Sequence, residues 1–277
     1  MKILAKKLNQ LNASELEQLE ALIYRYYNSA SPKFIADRLK KDYGYDIVML
    51  KKGDIIQGVN FYHLTKYKAK PHSRTQYILH FGQAMKRSGY KGNIIWRLGI
   101  WYSQRNIGWA YLLKDVTGIA SFISPKAFEH YTRLFPRHHY KLLNEENHQV
   151  LDFIGGYFNH FRGLAVNYGP GFCFDSSDLK KEDITDDWER VYRAKSESIN
   201  HLFTKSGIIE KKNGRIYKLP RHITVVGIRR PIPFDKKLKL PSSEDLKGQS
   251  ARKSGTENLA MPSLEMMPGL KWNSEYL

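Results

Sequence analysis

Three short stretches carry side chains suited to holding a phosphorylated ligand or moving a proton. The first is Met85-Lys86-Arg87-Ser88-Gly89-Tyr90-Lys91-Gly92-Asn93, a basic turn punctuated by glycine that runs straight into the helix-like residues 94–101. Glycine lets a backbone approach an anion closely, the first N–H groups of a helix lack intrahelical partners, and the helix dipole adds partial positive charge at the same end. Lys86, Arg87 and Lys91 add whole charges, so this turn suits a phosphate or pyrophosphate. A solvated basic loop has the same composition. The second stretch is the apolar and aromatic run Tyr77-Ile78-Leu79-His80-Phe81-Gly82-Gln83-Ala84, which reads as a strand. It carries His80, whose ordinary pKa near neutrality suits proton exchange, although a hydrogen-bonded core histidine fits the pattern equally well. The third is Ser124-Pro125-Lys126-Ala127-Phe128-Glu129-His130-Tyr131, where Ser124 is a good N-cap and Pro125 suits the first helical position. Phe128, Tyr131 and Leu134 fall on one helical face, a spacing that plain core packing also produces.

The elements that must hold these groups can be read from periodicity. Ile47 to Leu50 and Ile55 to Leu64 read as a hairpin closed by Lys52-Gly53-Asp54, and Gly118-Ile119-Ala120-Ser121-Phe122 reads as a strand entering the third stretch. Ser14 and Glu17 suggest a capping box ahead of an amphipathic helix with Leu16, Leu19, Leu22, Ile23 and Tyr26. Ser31-Pro32 suggests a second helix.

In this order, the segments resemble the GNAT superfamily of N-acyltransferases. Tyr90-Lys91-Gly92-Asn93-Ile94 is similar to that superfamily's Tyr-Arg-Gly-Lys-Gly phosphate loop, with Lys91 in place of arginine and Ile94 in place of the second glycine. Ser124-Pro125-Lys126-Ala127-Phe128 with Tyr131 and Phe135 resembles its Asn-Pro-x-Ala-x-x-x-Tyr-x-x-x-Gly-Phe helix, with Ser124 for asparagine and Leu134 for glycine. Asp46 to Gly58 resembles its hairpin, and the likeness spans about half of the chain. The resemblance implies an α/β fold, a mixed and mostly antiparallel sheet flanked by helices, to which the chain's own pattern adds a helical insertion before the last strand. It also implies acetyl-CoA or another acyl-CoA as donor and an amine-bearing small molecule or protein as acceptor, while the basic surface would suit an acidic acyl carrier protein as donor. By the same resemblance, the strand from Tyr77 to Met85 offers backbone groups of Gln83, Ala84 and Met85 to the pantetheine arm. Lys91, Gly92 and Asn93 hold the pyrophosphate with Arg87, Ser124 stands beside the pantetheine, and Tyr131 protonates the leaving sulfur. A phenol suits that task because it is neutral near pH 7 yet can give a proton to a thiolate. His80 is the candidate base, with His63 and Glu129 behind it.

Beyond Pro136 the chain reads as a short strand around His138-His139, a helix over residues 144–161, a loop over 163–178, and a long helix from Thr185 through Trp188, Val191, Tyr192, Ile199, Leu202 and Phe203 to Gly207. After a turn at Asn213-Gly214, Ile223-Thr224-Val225-Val226-Gly227-Ile228 is the clearest late strand and is expected to close the same sheet. This divides the chain into a core at residues 1–143, an insertion with the closing strand at 144–230, and a flexible tail at 231–277.

A formal charge of +18 calls for anionic company such as nucleic acid, a membrane surface, an acidic carrier protein or a phosphorylated cofactor. The basic, aromatic run Lys66-Tyr67-Lys68-Ala69-Lys70-Pro71-His72-Ser73-Arg74 reads as a solvated hairpin tip, or as a contact for nucleic acid or an acidic partner. The one cysteine, Cys173, excludes an internal disulfide and sits in an apolar context suited to an inert thiol. Adjacent His138 and His139 would point to opposite faces of a strand, and no metal site is expected. No apolar run approaches a membrane span and the N-terminus lacks a signal-peptide pattern, which makes the cytoplasm the expected compartment. Two rival readings stand beside the enzyme: a basic, non-catalytic nucleic-acid-binding protein, and a GNAT fold that has lost catalysis.

Overall fold

The computed structural model describes residues 1–26, 45–67, 75–109, 111, 114–132, 138–139, 148–162, 173–175, 180–229 and 240–247. The expected helix after Ser31, the hairpin tip from Lys68 to Arg74 and the segments 231–239 and 248–277 lie outside these residues.

Strands β1 (Lys2–Lys6), β2 (Asp46–Lys52), β3 (Ile55–Tyr67) and β4 (Gln76–Lys86) pair antiparallel in sequence order. The β2–β3 turn needs Gly53 at φ +59°, a conformation an L side chain rarely adopts. Helix α1 (Ala13–Tyr26) lies between β1 and β2 in the chain. Its capping box is Asn12 with Glu15, two residues before the expected Ser14 and Glu17. The Asn12 side chain accepts from Glu15 N–H at 2.8 Å, and Asn12 N–H donates back to Glu15 Oε2 at 3.2 Å. Glu15 won because its carboxylate also pairs with Lys6 at 2.6 Å and Lys51 at 3.1 Å, anchoring the helix start to the sheet.

Helix α2 (Ile94–Ile107) carries the chain over to β5 (Asp115–Phe122), which runs parallel to β4. Helix α3 (Pro125–Thr132) follows, capped by Ser124, whose carbonyl accepts from Phe128 N–H at 3.0 Å. The chain then adds β6 (His138–His139), helix α4 (His148–Arg162), β7 (Cys173–Asp175) and β8 (Glu182–Asp183). A π-turn at Trp188–Tyr192 leads to helix α5 (Glu197–Lys205), the β9 (Ile209–Lys212) and β10 (Arg215–Lys218) hairpin, and β11 (Arg221–Arg229). Asn213 and Gly214, with φ of +52° and +72°, close that hairpin as a type I′ turn. β11 pairs antiparallel with β5 and closes the main sheet, as read from its β-branched run. It also pairs with β6 and β7, so residues 173–175 of the expected loop are a strand. The insertion is not only helical, because β8, β10 and β9 form a second, three-stranded sheet.

The long helix expected from Thr185 to Phe203 is broken. Glu129 of α3 accepts from Lys195 N–H and Ser196 N–H at 3.1 Å each, and the Asn200 side chain grips Ala194 N–H and C=O at 2.9 and 3.0 Å. These bonds hold residues 194–196 out of helical pairing, and periodicity alone cannot show them.

Side-chain alternation along the strands separates two buried faces. Val48, Leu50, Leu79, Phe81, Ala120, Ile223 and Val225 pack on one face beneath α2, α3, the π-turn and α5. The other face is divided: Ile47, Met49, Val59 and Met85 meet α1, while Ile78, Ile119, Val226 and Ile228 meet α4. Helix α6 (Ser243–Lys247) lies on α4, with Leu240 and Leu246 buried there and Ser243 N–H donating to Asp152 Oδ2 at 2.9 Å. Gly156 permits the crossing, since a Cβ on it would come within 2.7 Å of Ser243 Cα. Residues 240–247 are therefore packed, which corrects the expectation of a flexible tail from residue 231. Two leucines at a spacing of six were too short a pattern to register as a helix face. No helix among the described residues is long and apolar enough to cross a membrane.

Candidate active site

The parallel ladder between β4 and β5 runs from Gln76 opposite Asp115 to Phe81 opposite Ala120 and then stops. Beyond it β4 continues to Lys86 paired with β3 alone, while β5 continues to Phe122 paired with β11. Among the described residues, no strand lies on the β5 side of residues 82–86, so that edge of the backbone opens on a slot through the sheet. A bulge starts the split: Asn60 faces Ala84 and Tyr62 faces Phe81, so Gly82 and Gln83 share Phe61 as their counterpart. Gly82 is required there, because a Cβ would sit 2.9 Å from Phe61 Cβ and 3.2 Å from its carbonyl oxygen.

β4 ends in the basic turn. Gly89 has φ +84°, and Asn93 C=O accepts the helical bond from Arg97 N–H at 3.3 Å, so the turn delivers its backbone directly to the α2 N-terminus. Asn93 Nδ2 lies 3.4 Å from His130 Nδ1, which ties the turn to α3.

A cavity of about 710 Å³ fills the split and extends beneath the turn. Tyr131, His80, Gln83, Ala84, Met85, Arg87, Lys91, Gly92, Asn93 and Ser124 all line it. Expected contributions differ in detail. The Met85 side chain is buried against α1, leaving its backbone for the slot. The Arg87 guanidinium donates to Ile56 C=O at 3.0 Å and Gln18 Oε1 at 3.2 Å, so it fastens the turn to α1 as much as it faces the cavity. His63 and Glu129 do not line the cavity, and Glu129 serves instead as the clamp on residues 195 and 196.

The lining was only partly legible in advance. Tyr45 just before β2 and Arg190, Val191 and Tyr192 of the π-turn also line it. Val191 and Tyr192 had looked like one core face of a continuous helix, and nothing in the pattern around Tyr45 marks it. Lys126 donates to Arg190 C=O at 2.8 Å, which joins α3 to the π-turn at the rim. Lys86 has its pKa lowered by burial and by the nearby Lys126 charge.

The two candidate proton-handling residues approach the split from opposite faces. Tyr131, fully buried, packs edge-on to Phe81 at 5.2 Å and against Phe122 at 5.1 Å, with the Gly227 backbone as hydrogen-bonding neighbour. Burial raises its pKa well above the usual phenol value, so it keeps its proton. On the other face, His80 Nδ1 lies 2.5 Å from the Tyr45 hydroxyl, and its ring meets Phe158 of α4 edge-on. His63 faces His80 in strand register and holds the Tyr157 hydroxyl at 2.7 Å. Burial first, then the neighbouring His63, pushes His80 down to about 3. Burial and Lys7, opposed by Asp46, bring His63 to about 4. Both imidazoles are neutral near pH 7. Among the described residues, no group of His, Cys, Asp and Glu is arranged to hold a metal ion.

The strand order with its single parallel pair, the split after Phe81 and the glycine turn feeding a helix give the mixed, mostly antiparallel α/β architecture expected from the sequence. Among solved structures, the chain aligns with an aminoglycoside 6′-N-acetyltransferase bound to coenzyme A at 11% identity, covering 84% of this chain and 100% of that one, with a TM-score of 0.37. It aligns with Chaetomium thermophilum Naa20 bound to a bisubstrate analogue at 12% identity, covering 52% and 75%, with a TM-score of 0.33. A transcriptional regulator from Bacillus halodurans aligns at 15% identity, covering 48% and 91%, with a TM-score of 0.33. No family profile and no curated protein matches the chain.

Proposed function

We propose that the protein is an acyl-CoA-dependent N-acyltransferase. The observation that carries this reading is the composition of the cavity. Its lining includes Arg25, Lys86, Arg87, Lys91, Lys126 and Arg190, and among the described residues no aspartate or glutamate. A polyanion with an extended arm fits such a space: phosphates at the α2 N-terminus and the lysines, and the arm along the unpaired edge of β4. Lys91, Gly92 and Asn93 would hold the pyrophosphate, Lys86 and Lys126 would flank it, and Gln83, Ala84 and Ser124 would line the arm. Bound there, the cofactor supplies an acyl thioester.

The chain's own residues then have distinct tasks. Backbone groups at residues 82–85 position the arm, and Tyr131 gives its proton to the departing thiolate. His80, neutral and covered by Tyr45, is better suited to orienting that hydroxyl than to storing a proton. The donor could equally be delivered on an acidic carrier protein, which the cationic rim would suit. The lone cysteine, buried with its pKa raised by burial, is compatible with a reducing compartment such as the cytoplasm.

The test is a melting curve with acetyl-CoA, longer acyl-CoAs and an oligonucleotide, since a ligand of the folded state raises the midpoint. A rise with acyl-CoA is expected, and a rise with the oligonucleotide alone would reject the enzyme. The double change Lys91→Ala with Lys126→Ala should weaken CoA binding about tenfold or more at low salt and less at high salt, because salt screens exposed charges. Equal binding by variant and unmodified protein in titrations at both salt concentrations would move the phosphate site elsewhere.

A further inference from the structure

Asn60 of β3 lines the cavity, is only 1% exposed, and faces Ala84 in strand register. By alternation along the strand it shares with Tyr62 and Ala84 the face of the sheet beneath α2. Its amide nitrogen donates to the Tyr62 hydroxyl at 2.8 Å, and that hydroxyl gives its own proton to Ile95 C=O at 3.4 Å. The two bonds decide which way the amide points, with Nδ2 towards Tyr62. Asn60 Oδ1 is buried and has no hydrogen-bond partner among the described residues. Tyr62 keeps the amide in this pose because its ring is itself pinned. The ring stacks on Tyr102 with centroids 4.7 Å apart and meets Phe81 edge-on at 5.4 Å. Its hydroxyl lies against Gly99 of α2, where an added Cβ would come within 3.3 Å of it.

A buried carbonyl oxygen without a donor costs the fold stability, and such groups are rare in protein interiors. Here the orphan is a rigid acceptor at a cavity wall, beside the stretch of β4 whose outer edge no described strand covers. Ala84, the β4 residue between Asn60 and that edge, ends at a methyl group. We propose that Asn60 Oδ1 receives an amide N–H from the arm of the donor, so that Asn60 selects donors with an amide between their phosphates and their thioester. The place along the arm follows from Tyr62, whose hydroxyl joins Asn60 to Ile95 in the first turn of α2. That end of α2 is the one proposed for the phosphates. The group that reaches Asn60 is therefore the part of the arm nearest them, and not the reacting thioester. Asn60 binds and orients the arm, and takes no part in moving a proton. An arm of bare hydrocarbon would leave Oδ1 desolvated and unpaired, which is the basis of the selection.

This inference rests on the acyltransferase reading, and two ligands separate them. Coenzyme A carries the whole arm, whereas ADP keeps a pyrophosphate and lacks the arm. Both are titrated against the unmodified protein, Asn60→Leu and Tyr62→Phe. Asn60→Leu should weaken coenzyme A about three- to tenfold, the range for one neutral hydrogen bond, and leave ADP affinity unchanged. Tyr62→Phe keeps the ring and removes the hydroxyl that aims the amide, so it should produce a smaller loss, again for coenzyme A alone. A residue that only supported the fold would weaken both ligands together. Unchanged coenzyme A affinity in Asn60→Leu, or an equal loss for the two ligands, would overturn the inference while leaving acyl transfer intact. Should Asn60→Leu fail to fold, Tyr62→Phe decides by the same rule: a loss confined to coenzyme A supports the inference, and any other result overturns it. No response of the unmodified protein to coenzyme A would overturn both the inference and the acyltransferase reading.

Discussion

Tyr131→Phe is expected to lower the rate of thiol release from acyl-CoA by ~10²–10⁴-fold, the range usual for loss of a general acid. The ring stays in its place, since its contacts with Phe81 and Phe122 are made by carbon. Loss of the hydroxyl removes its interaction with the Gly227 backbone, so stability should fall by only about 1 kcal/mol. Acyl-CoA affinity should survive, because in the proposed mechanism the proton is needed as the thiolate departs and not while the thioester is bound. A thiol-release assay beside a melting curve separates the effects. A folded variant with full activity would take Tyr131 out of the mechanism and leave it as a core residue.

Removal of α6 should have the largest effect on stability. Ending the chain after residue 239 uncovers the face of α4 that Leu240 and Leu246 bury, and each buried leucine is worth ~1.5–3 kcal/mol. The midpoint should fall by roughly 10 °C or more for a protein of this size. Leu246→Ala in the full chain isolates the contact and should cost about 2–5 kcal/mol. An unchanged midpoint for Leu246→Ala would mean that α6 does not dock on α4 in solution.

Much of the main sheet was legible because its signals are local. The Gly53 turn fixes the β2–β3 hairpin, Ser124-Pro125 starts α3, and the β-branched run at 223–228 has no stable home except a sheet. The residues read as a phosphate turn and a tyrosine helix do line one cavity. What stayed hidden was set by long-range bonds. Glu129 reads in the sequence only as a candidate base behind His80, yet its carboxylate reaches across to residues 195 and 196 and breaks an apparently continuous helix. Tyr45 acquires its place only when β2 brings it beside His80, and α6 becomes a packed element only because α4 carries Gly156 opposite Ser243.

The facing histidines give the fold a weakness towards mild acid. An unfolded histidine binds a proton near pH 6.5, whereas His63 and His80 resist doing so until about 4 and about 3. Between these values the unfolded chain holds more protons than the folded one, so proton uptake pulls the equilibrium towards unfolding as the pH drops. The stabilisation from keeping both rings neutral is complete above pH 6.5 and drains away below it, before most carboxylates titrate. Melting midpoints followed from pH 7.5 down to about 4.5 should therefore slope downward, and a folded His63→Gln variant should show a shallower slope. The same pair that packs against Tyr45 would then set the lower pH limit of the protein's working range.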